Sequence, residues 1–226
     1  MGRPRSDIQP RIVDAARARF LADGVDGASL REIARDAGTH LAMIAYYFPT
    51  KDDLFLSVIE EVYAKLVRDL AEILGAGETA RQRLRGAFVR LGTASELELE
   101  VMQLMAREAL SSSKRLRRIL ARFMRGHVPL VLATIAEGIR SGEIDAAIPA
   151  PFVLLAVLGL GPLPQIARRA SRALPLFSAL PDANRLADLS IDLLFRAVGP
   201  PQARAASASA PTAERARKKS RERRGG

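Results

Sequence analysis

The fold of this chain is decided by residues 29–55, which have the sequence SLREIARDAGTHLAMIAYYFPTKDDLF. In the first third of this stretch, apolar side chains recur at the i, i+3, i+4, i+7 spacing of one buried helix face. These side chains are Leu30, Ile33, Ala34 and Ala37. Ser29 followed by Glu32 is the pattern of a capping box at the start of this helix, and Gly38 is the residue expected to end it.

A second short helix is predicted over about residues 40–48, with Ile44 and Phe48 on its inner side and Pro49 as its stop. Two short helices joined by a tight glycine turn define a helix-turn-helix, in which the first helix braces the second. The outward side chains of the second helix are predicted to be His40, Leu41, Met43 and Tyr47, with Tyr46 near the rim. The two tyrosines suit contacts to phosphates and thymine methyls in a major groove. Alternatively, both tyrosines wedge this helix against the next one.

Longer helices flank this motif, and the rest of the chain is also predicted to be helical. The flanking helices cover residues 8–22 and 51–74, the second with Thr50 as its N-cap. The further helices are predicted over residues 79–94, 97–110, 113–141 (with a bend at Pro129), 150–161 and 182–198. No strand-length stretch shows sustained alternation of apolar and polar residues, so the predicted fold class is all-α.

The stretch 29–55 strongly resembles the DNA-binding domain of TetR/AcrR-type transcriptional regulators. The resemblance covers about residues 8–68. The residues that carry it are Ala15, Ala16, Phe20, Gly24, Ile33, Ala34, Ala37, Gly38, Ile44, Tyr46, Phe48, Lys51 and Leu54. It implies an N-terminal three-helix DNA-binding domain with the motif at 29–48, preceded by a flexible arm, residues 1–7. It also implies a helical ligand-binding and dimerisation domain over residues 69–199.

The resemblance further implies roles for matching positions. Leu41 and Met43 would face bases, Tyr46 and Tyr47 would reach phosphates or base edges, and Lys51 would hold a phosphate. Arg31 would reach a base or the backbone, and Ser29 a nearby phosphate. The full predicted DNA-binding set is Arg3, Arg5, Ser29, Arg31, Thr39, His40, Leu41, Ala42, Met43, Tyr46, Tyr47 and Lys51.

Three positions depart from the family pattern. His40 stands where a Ser N-cap is usual, and because neutral imidazole caps poorly, the second helix is expected to start at Thr39. Ala45 replaces a common aromatic residue. Since Leu41 and Met43 are apolar, thymine-methyl packing and DNA shape are expected to matter more than hydrogen-bonded base recognition.

Both ends of the chain are basic. Arg3 and Arg5 suggest an arm that enters the minor groove, although two solvated arginines on a frayed terminus fit equally well. Residues 200–226 carry eight basic and two acidic side chains, and their Pro, Ala, Ser and Arg content predicts disorder. This tail either attracts phosphates without regard to sequence or simply promotes solubility.

The C-terminal part offers three further features. A pocket for a small apolar or amphipathic ligand could be lined by Phe88, Met102, Met105, Phe123, Met124 and His127, although packing in the hydrophobic core explains the same residues. Helix 113–125 is basic, being either a site for anions or membranes or a solvated face balanced by Glu96, Glu98, Glu100 and Glu108. Residues 150–161, apolar all round, and the final helix, with Leu186, Leu189, Leu193, Leu194 and Val198, suit a subunit interface.

Composition excludes several classes of function. The chain has 226 residues and a net charge of +10, with no Cys and two His, which excludes disulfides, thiolate metal sites and His-rich metal sites. No catalytic motif survives inspection, no cofactor or metal is expected, and the lack of Cys suits the cytoplasm. The uncharged stretch 146–167 is bracketed by prolines that leave about 11 residues of helix, too short for a bilayer core of about 30 Å, so no membrane is expected as a partner.

The sequence therefore predicts a ligand-responsive, homodimeric repressor that binds a palindromic double-stranded DNA operator. Two alternatives remain open at this stage. One is a nonspecific DNA binder driven by the basic tail, and the other is a helical interaction module that uses the basic helix 113–125.

Overall fold

A computed structural model describes residues 7–169 and 177–201, and every regular element in these ranges is a helix. The helices are α1 Ile8–Gly27, α2 Leu30–Asp36, α3 Leu41–Tyr47, α4 Lys51–Gly75, α5 Ala80–Gly92, α6 Glu96–Ser111, α7 Ser113–Met124, α8 His127–Arg140, α9 Ala150–Leu160, α10 Pro162–Arg169 and α11 Ala183–Val198. The all-α prediction is confirmed. Arg3, Arg5 and tail residues 202–226 lie outside the described residues.

The predicted single helix over residues 113–141 is wrong, because α7 ends at Met124 and α8 begins at His127, two residues before the bend that was predicted at Pro129. At the break, the amides of Arg125 and Gly126 bond to carbonyls three residues back, which closes a tight turn. Gly126 is also pressed against the Tyr63 hydroxyl, in a space that a Cβ would fill. Pro129 sits in the first turn of α8, where a missing N–H costs nothing.

The helices form two compact units. One unit holds the described residues up to Asp69 together with Ala94–His127, and the other holds Leu70–Thr93 together with the described residues from Val128 onward. The first unit includes the predicted DNA-binding domain 8–68 and adds α6 and α7 to it, since α6 packs against α1.

The first unit is built around apolar side chains from α1 to α4 that α6 and α7 complete. Phe20 and Phe55 are fully buried with their ring centroids 6.4 Å apart, and Leu104 and Ile119 add the contributions of α6 and α7. The predicted inner side of the second short helix is confirmed, since Ile44 and Phe48 are both buried in this core.

In the second unit, α5 packs mainly against α11 and α10, which also contact α9. Leu84 and Phe88 of α5 and Leu194 of α11 are buried. The Glu143 carboxylate accepts hydrogen bonds from the backbone amides of Ala80 (2.9 Å) and Arg81 (3.1 Å), so it caps the amino terminus of α5.

Within the described residues, Ala150–Arg169 is long and apolar enough to cross a membrane by length and composition, with a mean hydropathy of 1.7. The α7–α8 pair passes the same test if it is counted as one bent span. The continuous stretch is longer than the predicted 150–161 because α10 follows directly. Gly161 lies against the Phe88 ring, the buried Gln165 donates to the carbonyl of Ala183 at 3.0 Å, and Arg168 donates to that of Gly92 at 2.7 Å. These contacts hold one side of the helix pair within the second unit, although only 22% of the apolar window is buried there.

Candidate DNA-binding site

The turn between α2 and α3 is closed by backbone hydrogen bonds around Gly38, which has a φ of +61°. The backbone amide of Gly38 donates to the carbonyl of Arg35 at 3.0 Å, and the amide of Thr39 donates to the carbonyl of Ala34 at 2.9 Å. A positive φ of this kind favours glycine, as the sequence pattern predicted for the residue that ends α2.

The predicted capping box at the start of α2 is only half formed. The Ser29 hydroxyl accepts a long bond, 3.5 Å, from the amide of Glu32. The Glu32 carboxylate faces the guanidinium of Arg19 of α1 at 3.4 Å instead of returning to the backbone. An ion pair to a neighbouring helix has replaced the second bond of the box.

Helix α3 presents an apolar and aromatic outer face. Leu41 and Tyr46 are 43% and 77% exposed, and Ala42 and Ala45 are also exposed. The predicted positions of the two tyrosines are reversed, because Tyr47 packs half-buried against the core while Tyr46 points outward. Tyr47 lies three residues after the buried Ile44, on the same side of the helix. The two rings meet edge to face with their centroids 5.1 Å apart.

Two other residues of the motif are placed differently from expectation. His40, not Thr39, is the N-cap of α3, and its side chain makes no capping bond. Thr39 belongs to the turn instead, through its amide bond to Ala34. Met43 is half-buried, and Arg31 is exposed.

Lys51, the predicted phosphate contact, has a structural role in this conformation. Its ammonium donates to the carbonyls of Asp26 at 3.0 Å and Ala28 at 2.8 Å, just before α2. An ammonium has three N–H donors, so one remains for a phosphate. The predicted cap at Thr50 is formed: its hydroxyl accepts from the amide of Asp53 at 3.1 Å.

Most basic side chains of helix α7 pair with carboxylates of the first unit, whereas Arg117 is exposed. Arg115 is 6% exposed, and its guanidinium bonds to Asp26 of α1, Asp52 of α4 (3.1 Å) and Glu108 of α6 (2.8 Å). Three other basic side chains of α7 also form ion pairs: Lys114 pairs with Asp52, Arg118 with Asp53 and Arg122 with Glu60. Of the acids predicted to balance this helix, Glu108 bonds to Arg115, and further carboxylate partners come from α1 and α4.

These ion pairs change the protonation equilibria of the carboxylates. The hydrogen bond from Arg115 lowers the pKa of Asp26, and bonds from Lys114 and then Arg115 lower that of Asp52. The Glu108 carboxylate also accepts from the backbone amide of Val25 at 3.2 Å, next to the kink at Gly24. Arg107 donates to the carbonyls of Phe20 and Leu21, so α6 satisfies backbone groups on both sides of this kink.

Two of the predicted pocket residues, Phe123 and His127, lie together with their ring centroids 4.9 Å apart. Tyr63 completes this cluster: its hydroxyl lies 2.6 Å from Nδ1 of His127 and accepts the backbone amide of the same residue at 3.3 Å. The tautomer of His127 sets which of the two groups donates in the shorter bond. Burial, with the nearby charge of Arg122, lowers the pKa of His127 to about 4.

The other pocket candidates are dispersed. Met105 packs half-buried on the core of the first unit, Met102 is partly buried, and Met124 is 59% exposed. Phe88 belongs to the core of the second unit. In the described chain, no group of three or more His, Asp or Glu residues is arranged to hold a metal ion.

Comparison with known proteins agrees with this geometry. Residues 12–58 match the family model "Bacterial regulatory proteins, tetR family". A fatty acid metabolism regulator protein of Bacillus subtilis is 24% identical over 134 residues, 59% of this chain and 69% of that protein. The nicotine-responsive transcriptional repressor HdnoR of Paenarthrobacter nicotinovorans is 35% identical over 75 residues, 33% of this chain and 39% of that protein.

Among solved structures, the regulator FadR of Bacillus subtilis in complex with stearoyl-CoA has a TM-score of 0.56 at 18% identity, covering 82% of this chain and 97% of that one. The fold, the α2–α3 motif and these matches define a DNA-binding transcriptional regulator of the helix-turn-helix class, not an enzyme. Residues 12–58 therefore carry the amino-terminal domain of the tetR family, and beyond them the similarity to solved structures is one of fold.

Replacing Arg115 by Met is expected to lower the free energy of unfolding by about 3 kcal/mol, because Glu108 is left buried without its cationic partner. Adding Glu108→Gln should restore about half of this loss, since glutamine carries no charge and still accepts from Val25. Urea unfolding followed by circular dichroism measures both. Equal stability of the Arg115→Met variant and the wild type would contradict the structural role of this cluster.

Acidification is expected to destabilise the wild type more than a His127→Asn variant. The unfolded histidine takes up a proton near pH 6.5 while the folded one resists until about 4, so stability is lost as the pH falls through this interval. The excess loss in the wild type is about 3 kcal/mol by pH 4. Unfolding free energies at pH 7 and 4.5 test this, with the exposed His40→Asn as the control variant. Parallel losses in wild type and His127→Asn would refute it.

Proposed function

We propose that this regulator is a cytoplasmic, ligand-responsive homodimeric repressor whose α3 helices bind the two halves of a palindromic operator. The observation that carries the proposal is the outer face of α3, where Leu41 and Tyr46 are exposed while Ile44 and Phe48 anchor the helix in the core. A large exposed aromatic on a short, rigidly held helix suits contact with base edges and sugar-phosphate groups.

The proposed base recognition is mainly apolar. The exposed face of α3 holds Leu41, Ala42, Ala45 and Tyr46, and none of these side chains is charged. Thymine methyl groups are the natural partners of such carbon-rich side chains in the major groove. Arg31, Lys51 and the arm residues Arg3 and Arg5 are proposed to supply phosphate or minor-groove contacts.

Selection of genomic fragments by the purified protein, followed by footprinting, tests sequence-specific binding. The full chain and a form truncated after Gly199 are expected to protect the same palindromic site. Tyr46→Ala should weaken binding to that site about tenfold or more, because one base or phosphate contact is removed. Leu110→Ala, at an exposed leucine of α6, is the matched control. Retention of DNA by the full chain alone, without a footprint, would identify the basic tail as the DNA binder and refute the proposal.

Self-association is proposed to use apolar side chains that the second unit leaves exposed on its last three helices. On α9 and α10 they follow one another at three- and four-residue spacing, interrupted by Gly159, where a Cβ would meet no other atom. Of the five predicted interface residues of α11, Leu186, Leu194 and Val198 are buried in their own unit. The exposed side chains are Phe152, Leu155, Leu163, Ile166, Leu189 and Leu193. The face formed by α9 and α10 and the face of α11, from each of two protomers, would pack as a four-helix bundle.

Combining Leu155→Glu with Leu193→Glu is expected to convert the dimer into a monomer, because four carboxylates would enter each dimer interface. Leu110→Glu places the same charge on a leucine that is 92% exposed in the first unit, and should leave the dimer intact. Sedimentation equilibrium at micromolar concentration measures all three proteins. A monomeric wild type, or a dimeric double variant, would rule out this interface.

The effector is proposed to be a small apolar or amphipathic molecule. Support comes from the similar proteins, one of which is named for its response to nicotine and another of which was solved with stearoyl-CoA. Release of DNA then requires that the ligand bind more tightly to a conformation whose recognition helices no longer match the operator. The genes next to the selected fragments indicate which ligand to test.

A further inference from the structure

Arg11 of α1 holds the turn of the DNA-binding motif, although nothing in the sequence pattern pointed to it. Its guanidinium Nη2 donates a hydrogen bond to the carbonyl of Ala37, the C-cap residue of α2. The side chain is half-buried and spans from one helix to the turn that leads into α3.

This bond completes the turn. The carbonyls of Ile33, Ala34 and Arg35 accept from the backbone amides of residues 37–39, whereas that of Ala37 accepts from a different helix. Gly38 lies directly beneath the guanidinium, because a Cβ at this position would collide with Arg11 Nη2. The arginine and the glycine therefore fit one another across the turn.

The other end of α2 is held in a similar way. Lys51 donates to the carbonyl of Ala28, two residues before α2, so cations from α1 and α4 hold the backbone on both sides of this helix. A charged donor makes a stronger bond to a carbonyl than a neutral one. The start of α3 at Leu41 follows the Ala37 carbonyl by only four residues.

We propose that Arg11 is a positioning residue for DNA recognition, which fixes the α2–α3 turn and hence the orientation in which α3 is presented, without itself binding a phosphate. This inference rests on the proposed entry of α3 into the major groove. It separates Arg11 from the exposed Arg31, which is proposed to contact DNA directly.

The test compares Arg11→Gln, Arg11→Lys and Arg31→Gln on the DNA fragment selected by the wild type, with affinity measured at several salt concentrations. Arg11→Gln is expected to weaken binding about tenfold with an unchanged slope of log affinity against log salt. Arg11→Lys retains a charged donor and should recover most of the affinity. Arg31→Gln should reduce the slope by about 0.9, the value for one lost phosphate contact. Thermal melting confirms that each variant is folded at the assay temperature.

A double-mutant cycle with Gly38→Ala provides a second readout. Gly38→Ala strains the backbone at a φ of +61° in either background, but its collision with the guanidinium occurs only when Arg11 is present, so it should weaken binding less in the Arg11→Gln background than in the wild type. The inference is overturned if Arg11→Gln lowers the salt slope by about 0.9, leaves affinity unchanged, or acts additively with Gly38→Ala. Absence of a wild-type footprint would instead remove the proposed function, and this inference with it.

Discussion

A single buried guanidinium connects the helices on which the DNA-binding motif depends. Arg115 joins carboxylates of α1, α4 and α6, and two of these, Asp26 and Asp52, lie on either side of the α2–α3 segment in the sequence. The end of α1 and the start of α4 are therefore tied to the same cation. A buried ion cluster of this kind adds little net stability compared with apolar packing, but each member requires the others. The arrangement favours one register of α1, α4, α6 and α7 over alternatives that would leave a charge unpaired.

The cationic residues of the first unit are largely used inside the protein rather than displayed. Arg11, Lys51 and Arg107 donate to backbone carbonyls, while Arg115 and Arg122 pair with carboxylates. The overall charge of +10 is therefore a poor guide to the charge available to a phosphate backbone. Under the proposed function, specific docking relies on the shape and chemistry of α3 and on accessible cations such as Arg31.

Local periodicity was sufficient to predict the short helices, their glycine turn and the inward side of α3, because these depend on neighbours three or four residues away. Contacts distant in the sequence were not predictable in the same way. Glu32 pairs with Arg19 instead of closing its capping box, and apart from Glu108 the carboxylate partners of α7 named above lie more than sixty residues away in α1 and α4. The break between α7 and α8 depends on Tyr63 filling the space beside Gly126, again a tertiary contact. The predicted orientations of Tyr46 and Tyr47 are reversed in the structure because adjacent residues differ by only 100° around a helix, which a short pattern does not resolve.

The carbon-rich outer face of α3 has a thermodynamic consequence. A helix that docks through Leu41, Ala42 and Tyr46 removes apolar surface from water, whereas one that docks through arginines and amides mainly exchanges hydrogen bonds. Burial of apolar surface gives association a negative heat capacity change, so the enthalpy of binding becomes more favourable as temperature rises while the entropy becomes less so. The affinity of such a regulator for DNA would then pass through a maximum at the temperature where the binding enthalpy is zero, rather than vary steadily with temperature.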